Sequence, residues 1–446
     1  MDRHAADRTA FLILAGFILI AFAFGGGGIG AAFANLVVQL AAIVVLALRS
    51  GSCAQFWRES PLALRGLILA TLSVPVLQIL PLPDSVWTSL PGRALVERSL
   101  ELVGGEAWVT FSLDPRRTLL ALTALVTPLA VLFAGWNLPR ERLIDLGWLV
   151  VGLGVITVLL GAFQLGAGTD SSTLYGARRP GELLLGTFAN RNSTGLFLTF
   201  TLGLAALLPA PRPHPAVLPA RLAVCALLLL AVALTQSRTA IVLALLPVTI
   251  GAMRALSGVM PQRKDRNFAR TVMISLGALA LVGVGAGALI VAAPGRIGSA
   301  LERFEAKDDP RRFIWDDATY SVGRYWPAGA GVGTFDEIYQ VDESLENLTK
   351  RRAGRVHNDY IELAIETGAA GLVLAALWAV LIGWLTWRAR GPQLRWAAWG
   401  GSTFLLAIAL QSITDYPLRN QSILAFAAFA LLLLSRLAMH ERGSKA

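Results

Sequence analysis

Runs of about twenty apolar residues recur along this 446-residue chain, parted by short polar bursts. A run of that length matches one helical crossing of a bilayer. Only 15% of the residues are charged and 55% are hydrophobic, whereas soluble proteins carry about 25% charged residues. Backbone groups in lipid must be satisfied internally, which leaves helices or closed barrels. These runs are rich in Leu, Ala and Val and lack the two-residue alternation of a barrel strand. The expected fold class is therefore all-α: a polytopic integral membrane protein with about 12 transmembrane helices.

The expected spans are 9–25, 29–48, 62–80, 117–136, 143–165, 187–210, 217–234, 238–255, 271–293, 359–387, 396–413 and 418–438. With the N-terminus inside, the inside segments carry 20 basic and 7 acidic residues, and the outside segments 19 basic and 22 acidic. Short inside loops are basic, as the positive-inside rule requires. Insertion thus accounts for the net charge of +10, and no nucleic-acid partner is implied. Cys53 falls in an expected inside loop and Cys225 within a span, so no disulfide is expected, and no metal-ligand spacing occurs.

The chain divides into residues 1–293, with helices one to nine and an outer loop at about 81–116, then a large outer loop at 294–358. Residues 359–446 hold the last three spans and an inside tail. Asp308-Asp309-Pro310 is a helix start signal, so Arg311–Tyr320 reads as a helix at the interface, and Ala328–Thr334 as a flexible turn. Gly329, Gly331 and Gly333 lack the strand and Lys-Ser/Thr of a phosphate loop, which favours a plain turn.

The unusual polar clusters all fall on the outer face. Arg238 opens a span: it is an interfacial anchor or it binds an anion at the surface. Arg311 and Arg312 sit among Asp308, Asp309, Asp316 and Asp317, either as a neutralised charge run or with one guanidinium facing the same anion. The outside holds seventeen arginines but only Lys307 and Lys350, and a guanidinium fork suits phosphate. His357 is the one histidine outside, and histidine suits proton transfer near neutral pH; the plainer reading is structural. Asn358 or Asp359 could cap the helix that follows. Asp415 and Arg419 flank Pro417, as a local ion pair or as site residues. Asn190, Arg191 and Asn192 lie near the start of a span, where polar side chains are costly and point to function.

These stretches bring the chain close to a known family. SLDP, GTFANRNSTG, TQSRTA, PRRFIW, GAGVGTF, RVHNDYIELAIETG and DYPLRN, between residues 112 and 420, resemble the O-antigen ligase and O-antigen polymerase family of bacterial envelope glycosyltransferases. The resemblance implies a helical inner-membrane protein with both termini cytoplasmic and a large periplasmic loop containing short helices. It implies metal-independent, cofactor-free transfer of a glycan from undecaprenyl diphosphate to a hydroxyl, on a further glycan or on lipid A core. Carried over by motif, His357 would be catalytic, and Arg238 with Arg311, or Arg312 as substitute, would contact the diphosphate. Arg191, Asn190, Asn358, Asp359, Asp415 and Arg419 are candidate substrate contacts. Trp87 and Trp108 are candidate sugar-stacking rings. HNDY, ETG and DYPLR lean the reading towards a polymerase; a ligase is the alternative. A lipid-linked glycan flippase is the reading of another class, disfavoured because paired halves and mid-membrane charges are not evident.

Overall fold

The computed structural model describes residues 3–28, 30–102, 104, 108–166, 175, 183–212, 214–259, 311–346, 348, 352–392 and 394–438. The first half holds α1 (Arg3–Phe24), α2 (Ala32–Leu48), α3 (Ser50–Glu59), α4 (Leu62–Ile79), β1 (Pro81–Pro83), α5 (Asp84–Trp87), α6 (Ala94–Glu101), β2 (Trp108–Thr110), α7 (Pro115–Ala124), α8 (Val126–Gly135), α9 (Arg140–Gly166) and α10 (Arg191–Leu207). Then come α11 (Val217–Leu234), α12 (Arg238–Leu243), α13 (Leu245–Val259), α14 (Arg311–Tyr325), α15 (Phe335–Asp342), α16 (Asp359–Arg388), α17 (Arg395–Gln411) and α18 (Gln421–Ala438).

The all-α membrane architecture holds. Eight helices among the described residues are long and apolar enough to cross a membrane, or nine if the pair α2–α3, bent by 76°, is one span. That is fewer than the dozen expected, for two reasons. The span at 271–293 lies outside the described residues. Helices α2, α10 and α17 have 17 residues each, a length of about 25 Å. The segment around Cys53 is not a loop but helix α3.

Helices α10 and α18 form the centre. Nearly all of α10 is buried, packed by α9, α11, α13 and α17. Its Phe197 stacks on Phe426 of α18 at 4.6 Å, and its Phe200 on Phe404 of α17 at 4.0 Å. Where helices come closest a glycine stands: a Cβ on Gly401 of α17 would lie 2.5 Å from the Ala430 carbonyl oxygen of α18. Small residues permit such approaches between membrane helices.

The outer segment 81–116 is ordered by a short antiparallel ribbon, β1 with β2. Trp87 packs beneath it, 1% exposed, and donates Nε1–H to the Thr110 carbonyl at 3.0 Å. A ring so buried cannot stack on a sugar, so that expectation is withdrawn for Trp87; Trp108 is 60% exposed. Arg93 is buried against the rings of Trp87, Phe111 and Tyr325 and donates to the carbonyls of Phe111 (2.8 Å) and Gly329 (3.1 Å). Burial lowers its pKa to about 10.

The expected loose turn at 328–334 is instead a wedge. Helix α16 breaks at Gly368 (φ +58°), which frees carbonyls one turn earlier. Ala330 N–H donates to Ile365 O (2.9 Å), Gly331 N–H to Glu366 O (2.8 Å), and Val332 N–H to Gln78 Oε1 (2.9 Å). Those donors are spent on protein acceptors, so the glycines form no phosphate cradle. The glycines are there for clearance: a Cβ on Gly331 would meet Ser112 Oγ at 2.1 Å, and one on Gly368 would meet the Pro327 oxygen at 1.9 Å. Helix α14 runs five residues past its expected end, to Tyr325; its proposed start signal at 308–310 lies outside the described residues.

Candidate active site

The connection after α17 gathers motifs that lie far apart in the chain. Gln411 donates Nε2–H to the Asn192 carbonyl at 3.3 Å. Ser412 donates Oγ–H to Asp359 Oδ2 at 3.0 Å and accepts Asp359 N–H on its carbonyl at 2.8 Å. The Thr414 carbonyl accepts from Arg311 Nη1 at 2.7 Å, and its hydroxyl lies 3.2 Å from that of Thr239. Asp415 Oδ1 lies 3.4 Å from His357 Nδ1. Gln411, Ser412, Thr414 and Asp415 thus join the FANRN, QSR, PRRFIW, RVHNDY and DYPLR stretches.

A second line of bonds fixes Asp415. Asn192 Nδ2–H donates to Asp415 Oδ2 at 2.7 Å, and Asn192 Oδ1 accepts from Ser237 Oγ at 2.8 Å. Asn192, Ser237 and Asp415 are all buried. One oxygen of Asp415 is therefore held by Asn192 while the other faces His357. A carboxylate can only accept, so a His357 that donates to Asp415 does so from Nδ1, and in that tautomer Nε2 carries the lone pair. The His357 side chain is 30% exposed, which leaves it reachable, and its ring lies 5.0 Å from that of Tyr416. The 3.4 Å separation is long, as catalytic hydrogen bonds often are without substrate.

The arginines take different positions. Arg238 is half-buried and opens α12 behind the Ser237 N-cap, which accepts from Ala240 N–H at 3.3 Å. Its neighbour Thr239 and Arg311 both meet Thr414, so the QSR and PRRFIW stretches are side by side. Arg311 is half-buried and Arg312 exposed. Arg191 is half-buried at the start of α10.

Three candidates have local structural duties. Asn190 caps α10, accepting from Asn192 N–H at 2.9 Å. Asn358 caps α16, accepting from the N–H groups of Tyr360 (3.0 Å) and Ile361 (3.2 Å). Arg419 donates to Glu366 Oε2 at 2.9 Å and lies 3.1 Å from Glu362 and 3.9 Å from Asp359. Burial lowers its pKa, but Glu366, Glu362 and Asp359 outweigh that and raise it, keeping it charged. Arg355 also pairs with Glu362. This buried network lies one turn below His357 and fixes the end of α16 that carries it.

Sequence reasoning named Asn192 beside Asn190 and Arg191 but gave it no role, and passed over Ser237, Gln411, Ser412 and Thr414. Neutral side chains at the ends of apolar helices look like ordinary Ser, Thr and Gln; only their mutual placement marks them. Among the described residues no group of three or more His, Cys, Asp or Glu is arranged to hold a metal ion.

Residues 223–376, from α11 to the first half of α16, match the family model described as O-antigen ligase. That stretch is similar to the O-antigen ligase family. Arg238, Arg311, Arg312, His357, Asn358 and Asp359 lie inside the matched stretch; Asn190, Arg191, Asp415 and Arg419 lie outside it. The matched family is one of glycosyltransferase-type enzymes of the ligase/polymerase kind, and the apolar helices of this chain are those of an integral membrane protein. No curated protein matches it. A chain from a study of polymerization and crosslinking by a peptidoglycan synthase complex is similar at 19% identity, covering 78% of this chain and 96% of that one. Its TM-score of 0.37 is too low to bear on fold or activity.

Proposed function

We propose that this protein transfers a glycan from undecaprenyl diphosphate to a sugar hydroxyl at the periplasmic face of a bacterial inner membrane. The observation that carries the reading is the His357–Asp415 pair, assembled where Arg311 and Thr239, the neighbour of Arg238, both meet Thr414. His357 Nε2 takes the proton of the acceptor hydroxyl as its oxygen attacks the anomeric carbon from the face opposite the leaving group. The bond from that carbon to the phosphate oxygen breaks, and undecaprenyl diphosphate departs with the electron pair. The configuration inverts. Arg238 with Arg311, or with the more exposed Arg312, holds the diphosphate and offsets its growing charge, the place where preorganised electrostatics counts most. Guanidinium groups fill the role a metal ion plays elsewhere, so the reaction is expected to be metal-independent.

The acceptor is either the next repeat unit, which makes the enzyme a polymerase, or lipid A core, which makes it a ligase. The HNDY, ETG and DYPLR stretches lean the reading towards polymerase. A flippase would use charges deep in the bilayer. Glu362 and Glu366 are buried in α16, but both precede the break at Gly368 and are paired with arginines. The 20 residues after the break suffice for one crossing.

Two experiments test the proposal. Purified protein with a lipid-linked glycan should form glycosidic product, and His357→Ala should not; unchanged turnover would remove His357 from the chemistry. In a deletion strain, single repeat units would mark a lost polymerase, and long lipid-linked chains a lost ligase.

A further inference from the structure

At the opposite end of α10 from the candidate site, two arginines from different helices share the same acceptors. Arg221 of α11 donates to the carbonyls of Ala206 (2.9 Å) and Leu208 (2.8 Å). Arg254 of α13 donates to the same two, at 2.7 and 3.1 Å. Two Nη1 atoms bound to one oxygen at these lengths are less than about 6 Å apart. The Arg221 guanidinium lies over the Trp148 ring of α9 at 5.6 Å, and Trp148 Nε1–H donates to the next carbonyl, Pro209, at 3.0 Å.

Capping explains one arginine, not two. A helix C-terminus offers about half a negative charge, against two full positive charges. Among the described residues no carboxylate forms an ion pair with either. The like charges are left in excess beside the apolar ends of α9, α11 and α13. Each guanidinium has five N–H groups and spends at most two on carbonyls. Their remaining nitrogens are absent from the buried, unsatisfied atoms of the described residues, unlike those of Arg93 or Arg436. Both side chains are half-buried, so the spare donors are not sealed inside the protein.

We propose that Arg221 and Arg254 form a binding site for the phosphate of an anionic phospholipid headgroup. The phosphodiester oxygens would take the spare donors of both guanidinium groups, and the acyl chains would lie along the exposed apolar residues of α11 and α13, such as Leu227 and Val248. A basic pocket between membrane helices is a known geometry for such recognition. The alternative source of the same chemistry, free phosphate, does not use the apolar flanks. The site is remote from His357 and independent of the proposed reaction.

The test uses the full chain in neutral detergent. Dioleoyl phosphatidylglycerol should raise the unfolding temperature more than dioleoyl phosphatidylcholine does. Arg221→Gln with Arg254→Gln keeps an amide donor for the carbonyls but removes the charge, and should abolish the difference; the double Lys variant should keep most of it. Arg388→Gln, a half-buried arginine at another helix end, should leave it intact. Should the double Gln variant not fold, native mass spectrometry of each single Gln variant should show phosphatidylglycerol retained about fivefold less well per arginine lost. An undiminished difference or retention in the Gln variants overturns the site. An equal loss in Arg388→Gln reduces it to general surface charge and also overturns it. Stabilisation by inorganic phosphate equal to that by the lipid overturns the headgroup assignment.

Discussion

His357 is held at φ +58° and Gln236 at +54°, and a non-glycine residue in that region costs about 1–3 kcal/mol unless its surroundings over-determine it. Among the described residues these are the two non-glycine cases, and they stand in the RVHNDY and QSR stretches. At His357 the strained turn lets the imidazole face Asp415 while the next residue, Asn358, caps α16. On the proposed mechanism, His357→Ala should lower turnover by about 10²–10⁴-fold. Asp415→Asn keeps the shape but offers the wrong tautomer, and should cost up to about 10⁴-fold. Asn192→Leu should lower kcat by about ten- to a hundredfold, the worth of a hydrogen bond to a charged group, with KM for the lipid-linked donor nearly unchanged. An Asn192→Leu enzyme with intact kcat would show that Asp415 needs no holding. Arg419→Ala should act on stability instead: it leaves Glu362 and Glu366 short of a cation, at about 3–5 kcal/mol, seen as a lowered unfolding temperature.

At the scale of elements, the wedge at 328–334 and the break in α16 depend on each other. The break supplies the carbonyls of Ile365 and Glu366, and the wedge supplies the N–H groups that satisfy them. Gln78 of α4 ties both, donating to Glu366 O at 3.0 Å and accepting from Val332 N–H. The expected flexible turn was wrong because glycine content shows freedom in the chain but not the neighbours that remove it. Gly368→Ala brings a Cβ against the Pro327 oxygen at positive φ and should cost at least about 1–3 kcal/mol, with Glu362 and Glu366 displaced alongside. Equal unfolding temperatures for wild type and Gly368→Ala would show that α16 needs no break there. The helix ends opposite the site carry arginine over tryptophan: Arg388 on Trp384 (4.6 Å), Arg390 on Trp387 (4.3 Å), Arg395 on Trp396 (4.6 Å) and Arg436 on Trp136 (5.5 Å). Such pairs suit an interface where one end is apolar and the other wet.

For the whole molecule, the arginine–tryptophan ends and the candidate site lie at opposite ends of the same helices, which fits the proposed orientation with the site outside. The orientation is tested on a chain with Cys53 and Cys225 changed to Ser. Leu345→Cys, 87% exposed, should react with a membrane-impermeant maleimide in intact spheroplasts, and Arg390→Cys only after permeabilisation. The reverse labelling would place the site in the cytoplasm and end the proposal of a periplasmic lipid-linked donor.

Hydropathy and charge sufficed for the membrane class and for most helices, because crossing a bilayer is a local requirement met by each segment alone. Motif resemblance sufficed to point to the family whose model matches residues 223–376, since PRRFIW and RVHNDY are short stretches read without the fold. What tertiary structure alone decided is which polar groups meet. The bond from Asn192 to Asp415 spans 223 positions, and that from Arg311 to Thr414 spans 103. Burial of Trp87 and the pairing of Arg419 with Glu366 were likewise invisible in order of residues, because both depend on which helix ends pack together.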